Sequence, residues 1–262
     1  MNKPIHVIQY NSDSSPDVVF DYLNNPDKDS NLWLRITSLK DTDFLMSVAR
    51  HFGIHELSME DVLNPKHQAK FEQESSYSLI ILKRIQEVDS EIETSQFSMI
   101  FGQGFLITFG QTRNREVSNY IKSIGEHDSS NERTVYDLID QLIDNYIVYA
   151  SRYQEKTDDI EDRIVESGEN YELSELFEFK QEMHQFKRIV RPVRELTDFL
   201  LRPKATIFTE DKYPYLKDLS DHANRVGSIA ENIEATPTRL HSIVLTQLQY
   251  KLYKTMNLMT AV

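Results

Sequence analysis

The chain has 262 residues, 39% of them hydrophobic, with 42 acidic against 29 basic residues and a formal charge of −13. That is enough apolar material to bury a real core, which excludes a disordered chain, and so acidic a surface repels phosphate backbones, which disfavours nucleic acid as a partner. The absence of cysteine excludes disulfides and thiolate metal sites and suits a reducing compartment such as the cytoplasm.

The first residues, Met1-Asn2-Lys3-Pro4-Ile5-His6, lack the apolar run of a signal peptide, and no window approaches eighteen consecutive apolar residues. The stretch as given therefore predicts neither secretion nor a membrane span. Short β-like runs come first, at 5–10, 32–36 and 77–82, the last rich in aliphatic residues as a buried strand is. A hairpin follows, with Phe97 to Phe101 and Phe105 to Phe109 joined by Gly102-Gln103-Gly104. Helix-like segments lie between the strands at 17–23 and 41–52, and another follows Arg113. The polar cluster Asp128-Ser129-Ser130-Asn131 marks a boundary, beyond which the apolar period changes from two to 3.6. Stripes over 134–167 and 173–202 predict two long antiparallel helices joined around Gly168-Glu169-Asn170, with a densely acidic outer half.

From Tyr213 onward the apolar residues recur every three and four positions: Leu216, Leu219, Ala223, Val226, Ala230, Ile233, Leu240 and Val244, then Leu248 and Leu252. This is the seam of a helix packed along other helices, and about fifty residues make a rod of about 75 Å. Pro237 lies on the seam, where it removes one hydrogen bond and clashes with the preceding turn at a cost of about 3 kcal/mol, so a kink or break is expected there. The final turns become more apolar and end without a stop signal, as a helix that has been cut does.

Four stretches, in order along most of the chain, resemble the CorA family of magnesium and cobalt transporters. They are His55-Glu56-Leu57-Ser58-Met59-Glu60-Asp61-Val62-Leu63-Asn64 with Lys70-Phe71-Glu72 and Ile81-Leu82-Lys83; Leu138-Ile139-Asp140-Gln141-Leu142-Ile143-Asp144-Asn145-Tyr146; Arg191-Pro192-Val193-Arg194-Glu195; and Tyr213-Pro214-Tyr215-Leu216-Lys217-Asp218-Leu219-Ser220-Asp221-His222. The resemblance implies an α/β fold, a mixed β-sheet sandwiched by helices over 1–130. An antiparallel helical hairpin over 131–211 and a stalk helix over 212–262 would follow, the stalk leading to a transmembrane segment absent from the chain. It further implies a funnel-forming homopentamer in the cell inner membrane, with this part on the cytoplasmic side, whose exposed stalk seams find their partners in one another. Two departures stand out: Pro237 interrupts the stalk, and His67 is displaced by one residue within the basic loop.

The same resemblance implies the site residues. Asp61 of one subunit and Asp218 of the next would hold a regulatory Mg²⁺, which takes hard oxygen ligands and keeps several waters. A second site would involve Glu60, Asp140 and Asp221, and Met256 and Met259 would lie near the narrow part of the pore. Co²⁺ or Zn²⁺ are the other cations it admits, zinc through the related ZntB-like branch. Each residue has a plainer reading. Ser58-Met59-Glu60-Asp61 also fits a capping box with acids in a first helical turn, Asp140 and Asp144 fit solvated helix charges, and the methionines fit ordinary packing. His51 and His55 are spaced as a helical zinc pair, but Gly53-Ile54 between them predicts the end of a helix. No nucleophile motif, phosphate loop or closed ligand set predicts an enzyme. The competing readings are thus a divalent-cation sensor on a transporter and a soluble coiled-coil scaffold.

Overall fold

A computed structural model describes residues 5–27, 30–88, 91–110, 130–165, 173–202 and 208–260. The expected helix after Arg113 and the turn at Gly168-Glu169-Asn170 lie outside these residues. The chain divides into two compact units, Met1–Leu142 with Glu195–Leu219, and Ile143–Arg194 with Ser220–Val262.

The first unit is built on strands β1 (Ile5–Tyr10), β2 (Asn31–Ile36), β3 (Lys70–Gln73), β4 (Tyr77–Val88), β5 (Glu91–Gly102) and β6 (Phe105–Phe109), in the order β1-β2-β6-β5-β4-β3. The sheet is mixed: β1, β2 and β6 are parallel, and β5, β4 and β3 are antiparallel. Helices α1 (Pro16–Asn24), α2 (Thr42–Phe52) and α3 (Glu56–Leu63) connect the early strands. Ser15 caps α1 and Asp41 caps α2, while Gly53, at φ 66, ends α2 in the left-handed conformation that glycine adopts without strain. One face of the sheet contributes Ile8, Leu34, Leu79, Ile100 and Ile107 to a core with Val19 of α1, Phe44, Leu45 and Val48 of α2, and Met59 and Val62 of α3. The opposite face is buried too, with Ile80 and Met99 at 0% exposure, and Phe71 of β3 meets Phe199 at 4.6 Å. Helices therefore lie on both faces of the sheet, as expected.

Three details differ from expectation. β4 and β5 form a longer hairpin than the runs at 77–82 and 97–101, because their outer halves are polar and carry no alternating signal. β3 was legible only as a basic loop, being a four-residue edge strand. Ser58 is no helix cap: α3 begins at Glu56, His55 caps it, and the Ser58 hydroxyl shares a 2.8 Å hydrogen bond with the buried Tyr77 hydroxyl. At the tight β5–β6 turn Gly104 takes φ 81, and a Cβ on Gly102 would lie 2.6 Å from the Ser76 carbonyl oxygen, so both glycines are required.

The second unit is helical, formed from parts of α4 (Asn131–Val165), α5 (Leu173–Leu200) and α6 (Tyr213–Thr260). Tyr153 meets Phe186 at 5.2 Å and Lys156 pairs with Glu182 at 3.1 Å, so α4 and α5 run antiparallel. Arg194 bonds Asn224 while Lys187 and His184 reach Glu234, so α5 and α6 are antiparallel as well. α6 is a single helix through Pro237, and the expected break does not occur. Ile233, Pro237, Leu240 and Val244 are all buried, and burial on both sides of the proline offsets its lost hydrogen bond. The seam from Leu216 to Val244 is likewise buried within the single chain, so of the seam's own apolar residues only those beyond Val244 stay exposed. No helix among the described residues is long and apolar enough to cross a membrane.

Candidate metal centre

α3 carries the first acidic pair. Met59 and Val62 are sunk in the core, which turns Glu60 outward and leaves Asp61 half-buried. The last turn of α3 is pinned by Gln96 of β5, whose side-chain amide donates to the carbonyls of Asp61, at 3.1 Å, and Val62, at 2.9 Å. Both Asp61 oxygens face the segment that follows α3: Oδ1 lies 3.0 Å from His67 Nε2, and Oδ2 accepts from the Lys70 ammonium at the start of β3. Lys70 also donates to Glu72 at 2.7 Å. Burial alone lowers the Lys70 pKa, but its bonds to Asp61 and Glu72 reverse that and hold it above the ordinary lysine value.

The second acidic group forms around Tyr136 on α4. Tyr136 is buried, and its phenol is pushed up to about 12, first by burial and then by the negative charges of Asp140 and Asp218. Carboxylates from α4 and from the first turns of α6 thus act on one phenol within the same unit. Arg133 opposes them: its guanidinium lies 5.0 Å from the Tyr136 ring and 4.9 Å from the Tyr215 ring, and its Nε pairs with Asp137 at 2.9 Å. Asp140 is half-buried and Asp218 exposed.

Asp221 is exposed on α6. In the second unit a carboxylate oxygen of Asp144 and a ring nitrogen of His222 lie within 4.8 Å, close enough for one ion to bridge them. Neither residue was singled out as a ligand in the sequence, although the i, i+4 spacing of Asp140 and Asp144 could have flagged the second. Arg133 and Tyr136 carried no signal at all, since an arginine and a tyrosine in a helical stripe are ordinary. Met256 is 63% exposed, and Met259 lies on α6, its side chain outside the described set. His51 is exposed and its ring packs on Phe52 at 4.9 Å, whereas the His55 ring caps α3, accepting from the Leu57 amide at 3.2 Å. The two histidines therefore serve different helices rather than one ion.

Comparison with known proteins bears on this arrangement. The family model of the CorA-like Mg²⁺ transporter protein matches residues 28–262. The cobalt/magnesium transport protein CorA of Thermotoga maritima is 25% identical over 244 residues, covering 90% of this chain and 69% of its own length. Among solved structures, the complete CorA magnesium transporter of Methanocaldococcus jannaschii superposes with a TM-score of 0.74 at 16% identity, covering 89% of this chain and 75% of that one. The cytoplasmic domain of ZntB from Vibrio parahaemolyticus gives 0.69 at 14% identity, covering 84% and 89%. At such identities the two structures speak for the fold alone.

Proposed function

This chain belongs to the CorA family, and from that premise we propose that it is the cation-sensing cytoplasmic part of a divalent metal transporter. The observation that supports this best is that negative charge from Asp140 and from Asp218, on separate helices, bears on the same Tyr136 phenol, an electrostatic setting that suits a hard cation such as Mg²⁺. In this reading Mg²⁺ bridges Asp61 of one subunit and Asp218 of the next, with Glu60, Asp140 and Asp221 around a second site. The bridging ions hold a closed pentamer at the inner membrane, and loss of the ions lets acidic subunits separate and the pore open. The 1–130 domain and 131–211 hairpin carry the sensor, and the 212–262 stalk passes its state toward Met256 and Met259. The family is one of transporters rather than enzymes.

A second reading is favoured by the Asp144 and His222 pair. An imidazole nitrogen beside a carboxylate suits a borderline cation such as Co²⁺ or Zn²⁺ better than Mg²⁺. In that case the ion held there is cobalt or zinc.

Thermal melts in EDTA and in about 10 mM MgCl₂ test the sensor. With a dissociation constant near 1 mM, each occupied site adds about 1.4 kcal/mol to stability. The expected result is a magnesium-dependent rise in Tm that disappears in both Asp61→Ala and Asp218→Ala. A rise untouched by either substitution would remove the intersubunit site and leave the family assignment standing.

A further inference from the structure

We propose that Lys70 is a built-in competitor of the metal at Asp61: its ammonium occupies that carboxylate when no ion is bound and withdraws to Glu72 when one arrives. The inference rests on reading Asp61 as a cation ligand. It begins with placement. Lys70 opens the edge strand β3, in register with Ile81 of β4, and Glu72 follows two positions along on the same side of the strand. The ammonium thereby bridges two carboxylates, Asp61 on α3 and Glu72 on its own strand. Asp61 is the more sheltered partner, its side chain 23% exposed against 43% for Glu72.

The two cations exclude each other at Asp61. A lysine ammonium is a compact charge on a flexible stem, so it can leave one oxygen and keep another through a few torsions. A divalent ion on the same oxygen would repel it, so metal binding at Asp61 requires Lys70 to leave. Gln96 holds the backbone carbonyls of Asp61 and Val62, so the turn that bears the carboxylate stays in place and the longer, more flexible lysine side chain is the one that moves. Glu72 then keeps the displaced charge paired. The apparent affinity equals the intrinsic affinity multiplied by the fraction of molecules in which Lys70 has withdrawn. Lys70 thus sets the concentration at which the site fills, and when the site is empty it pairs the Asp61 oxygen that His67 does not reach. It is a positioning residue, acting through Asp61 and not on the ion.

The test is a MgCl₂ titration of the full chain followed by calorimetry and by Tm, at about 0.15 M salt. Lys70→Met is expected to lower the half-saturating Mg²⁺ concentration by about five- to tenfold. Glu72→Gln, which deprives the lysine of its second seat, is expected to raise it about threefold, and to have no such effect in the Lys70→Met background. Simple loss of packing would lower Tm in EDTA without moving half-saturation in opposite directions. If Lys70→Met leaves half-saturation unchanged or raises it while Asp61→Asn abolishes the response, Lys70 is no competitor and the sensor reading survives. If Asp61→Asn leaves the titration unchanged, the sensor reading fails and the competitor with it. Should Lys70→Met not fold, Glu72→Gln decides alone, and an unchanged half-saturation there overturns the inference.

Discussion

Tyr136 shows how one buried residue can report on its acidic neighbours. A phenol whose folded pKa lies near 12, above the ordinary 10.0, contributes stability that is fully present below about pH 10 and is lost as pH rises through the folded value. Melts at pH 9 and pH 10.5 should therefore show a steeper loss for the wild type than for Tyr136→Phe, which has no proton to lose, and equal slopes would mean that neither burial nor the charges of Asp140 and Asp218 raise the phenol pKa. Lys70 illustrates the other residue-scale lesson. Its place in a basic loop was visible in the sequence, but its pairing with Asp61 depends on a strand of four residues that propensity alone does not reveal.

At the scale of elements, the contact between α5 and α6 turns on Gly227. A Cβ there would lie 2.2 Å from Arg194 Cδ, so the arginine would have to move, giving up its bonds to Asn224 at 3.1 Å and Glu231 at 2.7 Å. Gly227→Ala is expected to cost about 1–3 kcal/mol by overpacking. In an Arg194→Ala background the added cost should fall below 1 kcal/mol, as chemical denaturation of the four proteins of that cycle will show. The Glu234 cluster adds a smaller tie: its carboxyl is held below the usual range by its hydrogen bonds to Lys187 and His184, so this contribution is present above the unfolded pKa and fades as pH falls through the folded one. Helix existence and period were legible here from apolar spacing alone. The continuity of α6 through Pro237 was not, because a proline's local penalty is visible in sequence while the burial that offsets it is not.

For the whole molecule, the decisive contrast lies along α6. Its seam is buried up to Val244, whereas beyond it Leu248 is 38% exposed, Leu252 65% and Tyr253 68%. An exposed apolar helix end of this kind is a candidate surface for association, which the following substitutions test. Replacing Leu248 and Leu252 by serine is expected to leave the monomer's stability within about 0.5 kcal/mol, since both are exposed. The same change should abolish concentration-dependent assembly in native mass spectra recorded with MgCl₂. An unchanged assembly would place the contact elsewhere and weaken the stalk as a point of association.

Much of this protein follows from the sequence by itself, because the evidence of alternation, period and order is local. The strands around the core, the two long helices, the heptad seam and the four motifs of the CorA family are patterns a few residues wide, and each forms for reasons of burial and backbone geometry. Tertiary structure alone decided the rest. That the loop and edge strand after α3 fold back to pair Asp61 with His67 and Lys70, that the charges of Asp140 and Asp218 bear on one phenol, and that Asp144 lies near His222 depend on how the chain folds in space. Hydrogen bonds and ligand contacts act over a few ångströms, and separation along a sequence does not encode separation in space.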